Sequence, residues 1–250
     1  MSIIKINNLV LKEEEKEIEI KEKEVKENKK EVKDDSNIIK SIKINYIFYI
    51  SIFICLYAIS YYGKSNLIWS IITFIIVSFL GYVAHFVSHF IDFRYYYNKL
   101  DTNLNNSITK NKTLNSILSF IVEILDFHDK VHHDSSINKY SHNIINEFIG
   151  NFITQAGIFL IFKYLMSKLN YSIIILWGLM YSTIHIINYD IIKNPIHIKH
   201  HLDKNTNYGI DIWDIIFNTK YKNNNNDIEN INHYSINTIL LTCIIIFFYF

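Results

Sequence analysis

The sequence predicts an all-α fold that is embedded in a membrane. Half of the 250 residues are hydrophobic and 15% are aromatic, whereas the chain has 6 glycines and 1 proline. Architectures rich in turns use more glycine and proline, so their scarcity favours long helices. The remaining observation is a series of apolar runs, each close to the ~20 residues with which a helix crosses a bilayer core. We therefore predict about four transmembrane helices.

The chain divides into three parts by composition. Residues 1–43 form a charged tail, which is mostly Glu and Lys between Lys12 and Asp35 and has no apolar stripe. Such a segment is expected to be a disordered or solvated helical extension in the cytosol. Residues 44–235 form the membrane-embedded domain. The apolar C-terminal segment, residues 236–250, is short for a span and either crosses, lies in the interface or caps the bundle.

Four apolar runs form two pairs, and the members of each pair are separated by a break that is long enough only for a hairpin. The breaks are residues 63–66 and 167–171. Because each hairpin crosses the membrane and returns, the tail and the polar segments that follow the hairpins lie on one side. The four runs are residues 44–62, 67–84, 148–166 and 172–187, and the second run continues into His85 and His89.

The basic residues are divided unevenly between the two sides of the predicted membrane. The side of the hairpin breaks exposes Lys64, Lys163 and Lys168, and the other side holds most of the remaining Lys and Arg. The positive-inside rule makes this second side cytosolic. A formal net charge of +1 is too balanced to indicate a nucleic-acid partner. A soluble helical protein with buried apolar hairpins stays open, although ~18 consecutive apolar residues normally indicate a span.

The histidines are concentrated in three clusters on the predicted cytosolic side. Residues three and four apart share one face of a helix, so each cluster can direct its imidazoles to one point. Neutral imidazole is a common ligand of Zn, Fe, Cu and Ni. One tetrahedral zinc cannot use so many nitrogens, so the count predicts two metal ions. The candidate ligands are His85, His89, His128, His132, His133, His197, His200 and His201.

The order of these clusters, HxxxH, HxxxHH and HxxHH, resembles the three histidine boxes of the fatty acid hydroxylase/sterol desaturase superfamily, a family of membrane di-metal oxygenases. After the last box, NYG at residues 207–209 and WDIIFNT at residues 213–219 are similar to the family's NYG and WDxLFGT motifs. The resemblance covers about residues 45–220. The chain departs from the pattern at Asn218, where the family usually has Gly, and at Asn143, where the family commonly has Pro after a histidine.

The resemblance implies a catalytic domain in which the eight box histidines are metal ligands and His185 is a further one. It implies two iron ions, and it implies O2 and a membrane lipid (a sterol or a fatty acyl chain) as substrates. The implied reaction is hydroxylation or desaturation at an unactivated C–H bond. The sequence has no motif for its own electron supply, so an external NAD(P)H-dependent reductase or a cytochrome partner is implied. The expected location is the endoplasmic reticulum, with the boxes facing the cytosol.

Two other classes of function stay open. A membrane metal transporter is expected to place its ligands in the middle of the spans. A catalytically degenerate relative acting as a lipid-binding or scaffold protein is kept open by Asn218. We expect His142 and His233 to support ligands or the fold rather than to bind metal, and Asn188 to lie in a turn.

The residues around the last box also predict local structure. Pro195 suits the first turn of a helix, so the last box is expected to open one. Residues 207–209 are typical of a turn in which Gly209 adopts a positive φ. Trp213 and Phe217 are expected to be packing residues. Asp214 is expected either to orient a ligand imidazole or to cap a helix.

Overall fold

The computed structural model describes residues 35–127, 142–192, 194–224 and 226–250. Within these ranges all regular elements are helical and no strand occurs, which confirms the predicted all-α class. The charged tail up to residue 34 lies outside the described residues. The α-helices are α1 (Asp35–Ile44), α2 (Tyr46–Tyr62), α3 (Leu67–Phe90), α4 (Phe93–Asn103), α5 (Ser107–Lys110), α6 (Lys112–Phe127), α7 (His142–Phe152), α8 (Ile158–Leu165), α9 (Tyr171–Ile186), α10 (Pro195–Leu202), α11 (Asp211–Phe217) and α12 (Tyr234–Tyr249).

Helix α3 is long and carries the first histidine cluster. Its 24 residues begin after Asn66, whose side chain accepts hydrogen bonds from the backbone N–H groups of Ile68 and Trp69. The second apolar run, residues 67–84, was predicted to continue into His85 and His89, and the helix ends one residue later, at Phe90. Both His85 and His89 therefore lie in its last two turns, on one face.

One helix among the described residues, α3, is long and apolar enough to cross a membrane by itself. Residues Asn37–Ile44 and Tyr46–Tyr62 pass the same test only together, and they are bent by 73°. The remaining apolar helices are shorter: Ile144–Leu160, Tyr171–Ile186 and Tyr234–Tyr249. The arrangement of four spans is therefore met in part, by one clear candidate span and several shorter apolar helices.

Helix α9 lies at the centre of the bundle and packs against α3, α7 and α12. Its side chains Ile173, Ile174 and Leu176 have no exposed surface. The π-helical turn Ile153–Gly157 approaches α9 so closely that a Cβ added to Gly178 would lie 2.3 Å from the Cβ of Ala156. Glycine is therefore required where these two segments touch.

The two hairpin breaks meet at one end of the bundle, as the predicted hairpins require. The Asn170 side chain donates to the hydroxyl oxygens of Ser65, at 2.9 Å, and Ser70, at 3.1 Å. Helix α3 begins at this end. At a rise of 1.5 Å per residue, His85 lies roughly 27 Å further along the helix axis. The histidines and the hairpin breaks are thus at opposite ends.

The bend between α1 and α2 is fixed by a polar clasp. Asn45 is completely buried there, and its side chain donates to the carbonyl of Glu229 and accepts from the N–H of Ile231, both at 2.8 Å. Asn232 donates to the carbonyl of Ile44 at 2.7 Å. The segment before α12 is therefore held against the start of α2.

Asn218 ends α11 in the left-handed region, with φ 56° and ψ 43°. This conformation explains why a glycine suits the position and why asparagine, which tolerates it better than other residues, is an adequate replacement. We expect Asn218→Gly to leave the thermal midpoint of the purified protein unchanged or higher. Asn218→Val should lower its stability by about 1–2 kcal/mol, because a β-branched side chain clashes with the backbone there. Equal midpoints for the two variants would contradict this account.

Candidate metal centre

The first and third histidine clusters meet at the end of α3. Helix α10 begins with Pro195, as predicted, and the Asn194 side chain caps it by accepting from the N–H of Ile196 at 2.8 Å. This start directs His200 towards α3. The imidazole of His200 is completely buried, and its ring centroid lies 4.8 Å from that of His85 and 5.1 Å from that of His89.

These three histidines form a group that can hold a metal ion. One ring nitrogen of each of His85, His89 and His200 lies within 4.8 Å of the others. The Nε2 atoms of His85 and His200 are 3.2 Å apart. Two nitrogens bound to one ion at about 2.0–2.1 Å, with angles between octahedral and tetrahedral, would be separated by roughly 2.8–3.4 Å. The observed spacing fits two ligands of a single ion.

Backbone carbonyls decide which nitrogen of each ring faces the group. The Nδ1 of His85 lies 2.6 Å from the carbonyl oxygen of Tyr208, and the Nδ1 of His200 lies 2.6 Å from that of Thr206. A carbonyl only accepts hydrogen bonds, so each Nδ1 carries the proton and each Nε2 presents a lone pair. Two such lone pairs repel each other unless a cation lies between them. This is the usual arrangement behind a metal-binding histidine.

His200 is held in the neutral form that metal binding requires. Burial is the largest cause that lowers the pKa of its imidazole to about 3; the hydrogen bond to Thr206 opposes this shift, and the neighbouring His89 and His201 contribute to it. A neutral imidazole does not have to lose a proton before it binds a cation. The site therefore favours metal binding at physiological pH.

The turn at residues 207–209 differs from the prediction. Asn207, and not Gly209, adopts the positive φ, at 53°, and none of the described glycines does. Asparagine tolerates this region because its short polar side chain bonds locally. Its own N–H donates to the carbonyl of Thr219 at 2.8 Å, which ties the turn to the end of α11.

Asp214 neither bonds to a ligand imidazole nor caps a helix, so both predicted roles are wrong. Its carboxylate accepts from the backbone N–H groups of Tyr208, at 2.9 Å, and Gly209, at 3.1 Å, and from the hydroxyl of Thr219, at 2.7 Å. Since the carbonyl of the same Tyr208 accepts from His85, Asp214 acts on the imidazole through the backbone. Burial raises the pKa of Asp214 to about 7, against these hydrogen bonds and the charge of Lys220.

Trp213 and Phe217 are packing residues, as predicted. The ring of Phe79 on α3 lies 5.2 Å from that of Trp213 and 5.8 Å from that of Phe217. The Trp213 indole also donates to the hydroxyl of Ser78 at 3.3 Å. These contacts hold α11 against α3, close to His85.

His185 lies beside the group and has a different set of partners. Its Nδ1 is 2.8 Å from a carboxylate oxygen of Glu147 and 3.1 Å from the side-chain nitrogen of Asn151. Its ring centroid lies 5.9 Å from that of His197, which in turn lies 4.6 Å from that of His201. His185, His197 and His201 thus adjoin the three-histidine group without being part of it.

The other sequence candidates have different fates. His128, His132 and His133 lie outside the described residues. His233 precedes α12 with its ring 4.2 Å from that of Tyr234, and it does not join the three-histidine group. Asn188 is not a turn residue: it lies in the π-helical segment Ile187–Ile192, is buried, and its side chain donates to the hydroxyl of Tyr234.

Sequence reasoning missed the supporting groups. The carbonyls of Thr206 and Tyr208 leave no mark in a sequence, because any residue supplies one. Glu147 and Asn151 could have been noticed in the sequence, because they are four residues apart and therefore share one face of the helix that follows the second box.

Comparison with protein-family models, with curated proteins and with solved structures finds no match to this chain. The metal-binding capacity of the site is therefore inferred from the buried histidine group itself.

Replacing Asp214 tests the support of His85. The two backbone N–H groups use different carboxylate oxygens, so the amide of Asp214→Asn cannot accept both bonds. We expect about 10–100-fold weaker metal binding, the usual cost of removing an outer support. Metal titration of the purified protein measures this effect.

The matched control is Asp101→Asn. Asp101 also accepts two backbone N–H groups, from Ile108 and Thr109, but it uses one oxygen and contacts none of the histidines. Unchanged affinity in Asp214→Asn, or an equal loss in both variants, would contradict the role assigned to Asp214.

Proposed function

We propose that the protein is a membrane non-haem di-iron oxidoreductase that hydroxylates or desaturates a lipid at an unactivated C–H bond. The observation that carries the proposal is the convergence of His85, His89 and His200, which come from the first and third boxes, with their nitrogens within 4.8 Å. The resemblance of the motifs to the fatty acid hydroxylase/sterol desaturase superfamily supplies the reaction class.

The chain's own residues would hold and shield the ions. His85, His89 and His200 would present nitrogens to one ion, and His185, His197 and His201, which adjoin them, are candidates for a second. The resemblance adds His128, His132 and His133 to the candidates for the second ion. Bound iron would supply the reductive activation of O2 and the abstraction of hydrogen from the lipid. An external reductase or cytochrome would deliver the electrons.

A mostly apolar cavity supports a lipid substrate. It measures about 270 Å³, and His85 and Tyr181 are among the residues that line it. Ala84, Val87 and Ile158 contribute to its wall. Such a lining excludes water from a reacting C–H bond and favours an alkyl group over a polar substrate.

Membrane embedding is supported by exposed apolar surface as well as by α3. Helices α2 and α12 expose large side chains outwards, including Phe53 at 53%, Phe247 at 80% and Phe248 at 79%. Apolar surface of this extent normally contacts lipid or another protein. Together with the lysine distribution, it supports a bundle in the endoplasmic reticulum membrane whose histidine end faces the cytosol.

Neither alternative function is favoured by an observation of its own. The histidine group lies at the end of α3 and in α10, whereas a transporter is expected to place ligands in mid-span. Asn218, which stands where the family usually has Gly, was the residue that left open the alternative of a catalytically degenerate scaffold protein. It adopts the left-handed conformation required of that position and lies outside the metal group.

Alanine variants separate ligands from bystanders. His89→Ala and His200→Ala should abolish turnover and reduce bound iron without preventing membrane insertion, because each removes a nitrogen from the group. His233→Ala is the control and should keep substantial activity. Iron quantification and lipid analysis of one expression host measure both quantities, and full activity in His200→Ala would overturn the di-iron proposal.

His185→Ala is the informative intermediate case. A ligand role for His185 predicts a loss of iron equal to that of His200→Ala. A supporting role predicts retained iron with reduced turnover, since Glu147 and Asn151 would still line the site. Wild-type values for both iron and turnover would remove His185 from the metal centre.

The orientation is tested by labelling cysteines in sealed microsomes. With the exposed Cys243 replaced by alanine, Asn205→Cys should react with a membrane-impermeant maleimide from the cytosolic side. Ser65→Cys and Ser167→Cys, at the hairpin breaks, should react only after detergent opens the vesicles. Labelling of all three positions in intact vesicles would contradict a membrane-spanning bundle.

A further inference from the structure

A second polar group lies close to the histidines and is not used by the metal centre. The Tyr234 hydroxyl donates to a carboxylate oxygen of Glu229 at 2.8 Å. The side chains of Asn188 and Asn194 donate to the Tyr234 hydroxyl and to the same Glu229 oxygen, respectively. Glu229, Tyr234 and Asn188 therefore form a continuous hydrogen-bonded chain, which we call the Glu229 chain.

The Glu229 chain and the histidines line one cavity. The cavity measures about 110 Å³, and its wall includes all three members of the chain together with His85, His185 and His197. A buried water needs about 10–15 Å³ of such space, so there is room for several waters. The cavity thus joins the Glu229 chain to the metal centre by a route that water can fill.

The side-chain oxygen of Asn188, in the wall of this cavity, requires a hydrogen-bond donor. The side-chain oxygen of Asn188 is buried and has no hydrogen-bond partner among the described residues. The residue is 8% exposed and lines the cavity. An unsatisfied buried acceptor is costly, so a water is expected to donate to it. That water would lie next to the Tyr234 hydroxyl, to which the same amide donates.

Glu229 is suited to exchanging protons near neutral pH. It is only partly buried, and it lies in the segment clasped to Asn45, outside the helices. Burial and the negative charge of Asp211 raise the pKa of its carboxyl group to about 7. The hydrogen bonds from Tyr234 and Asn194 and the charge of Lys220 oppose the shift. Asp211 and Lys220 form a buried ion pair at 2.5 Å, so their opposite charges largely offset each other at Glu229.

We propose that Glu229 and Tyr234 deliver protons from the cytosolic side to the water-filled cavity beside the histidines. Tyr234 would give its hydroxyl proton to a cavity water and take one from the Glu229 carboxyl group, so no phenolate remains. Glu229 would then be reprotonated from solvent. Asn188 would hold the receiving water in place.

The inference rests on the proposed function, because reduction of O2 is what consumes the protons. Hydroxylation balances as RH + O2 + 2 e⁻ + 2 H⁺ → ROH + H2O, with the electrons supplied by the external donor protein. Desaturation takes up the same two electrons and two protons and releases two waters. Either outcome therefore requires a proton supply that reaches the buried site.

The first test uses the metal-free protein in detergent micelles. Infrared difference spectra between pH 5 and pH 9 should contain the C=O band of a protonated carboxyl group that disappears with a midpoint near 7. The buried Asp214 carboxyl group also has a pKa raised to about 7, so the spectra are recorded in an Asp214→Asn background. There Glu229→Gln should remove the band, and Asp227→Asn, a nearby carboxylate paired with Lys199, should leave it in place. The same band with and without Glu229→Gln in this background would overturn the assignment of Glu229.

The second test uses iron-loaded protein with the expression host's membranes, which contain the donor and the lipid. Glu229→Gln and Tyr234→Phe preserve shape, so iron content should stay at the wild-type level. Turnover should fall by about 10²-fold or more, the usual contribution of a positioned proton donor. The solvent isotope effect should change as well, and more hydrogen peroxide should leak per product. Asp227→Asn should behave as wild type.

The outcomes separate the two proposals. A wild-type protein that binds no iron or consumes no O2 would overturn the proposed function, and proton delivery with it. An active wild type whose Glu229→Gln and Tyr234→Phe variants match it in rate, pH profile and isotope effect would overturn proton delivery alone. A rate loss in Tyr234→Phe without any change in isotope effect or peroxide leakage would indicate a packing role and also overturn it.

Discussion

The candidate metal centre depends on the hydrogen bonds that one loop makes to two histidines from different helices. Thr206 and Tyr208 are two residues apart, and their carbonyl oxygens fix His200 on α10 and His85 on α3, each at 2.6 Å. Because both bonds take the Nδ1 proton, both Nε2 lone pairs turn to the same point. A displacement of this loop would therefore change the tautomer and direction of two ligands at once.

The residues of the NYG and WDIIFNT motifs after the last box hold that loop in place. Asp214 accepts the two backbone N–H groups of the turn, and Thr219 ties the turn to the end of α11. The aromatic packing of Trp213 and Phe217 on Phe79 then fixes α11 itself to α3. Residues that never approach a metal ion thus set the geometry of the ligands, as outer-shell residues do elsewhere.

Local periodicity and motif spacing were enough to predict much of the fold. The helical class, the two hairpin breaks, the start of α10 at Pro195 and the shared face of His85 and His89 all follow from short-range rules of spacing and capping. The continuation of α3 past its apolar run into His85 and His89 was also predicted, and the helix ends one residue later, at Phe90. The helix keeps its backbone hydrogen bonds after its apolar pattern has stopped.

The features that sequence could not supply are those set by long-range contacts or by the backbone. Gly209 was the natural choice for a positive φ, yet Asn207 takes it, because the N–H of Asn207 must reach the carbonyl of Thr219 twelve residues later. Asp214 was assigned to a side chain or a cap and instead binds two amides of the main chain. Glu229 belongs to no recognisable motif. Its position near the site could not be predicted, because it depends on the contact with Asn45, which is far away in the sequence.

The charges around the site suit the binding of cations in an otherwise apolar protein. Neutral imidazoles cost less to bury than ions, which allows His85 and His200 to pack at 6% and 0% exposure. Bound divalent ions would add positive charge in a medium of low dielectric constant, where opposite charges interact strongly. Two carboxyl groups lie next to this site. That of Glu147 contacts the imidazole of His185, and that of Asp214 accepts a hydrogen bond from the turn that orients His85. Burial raises the pKa of Asp214 to about 7, and a nearby cation would favour its ionised form. The ionised carboxylate accepts stronger hydrogen bonds from the turn. Metal binding and the hydrogen bonds that hold the loop would therefore strengthen each other.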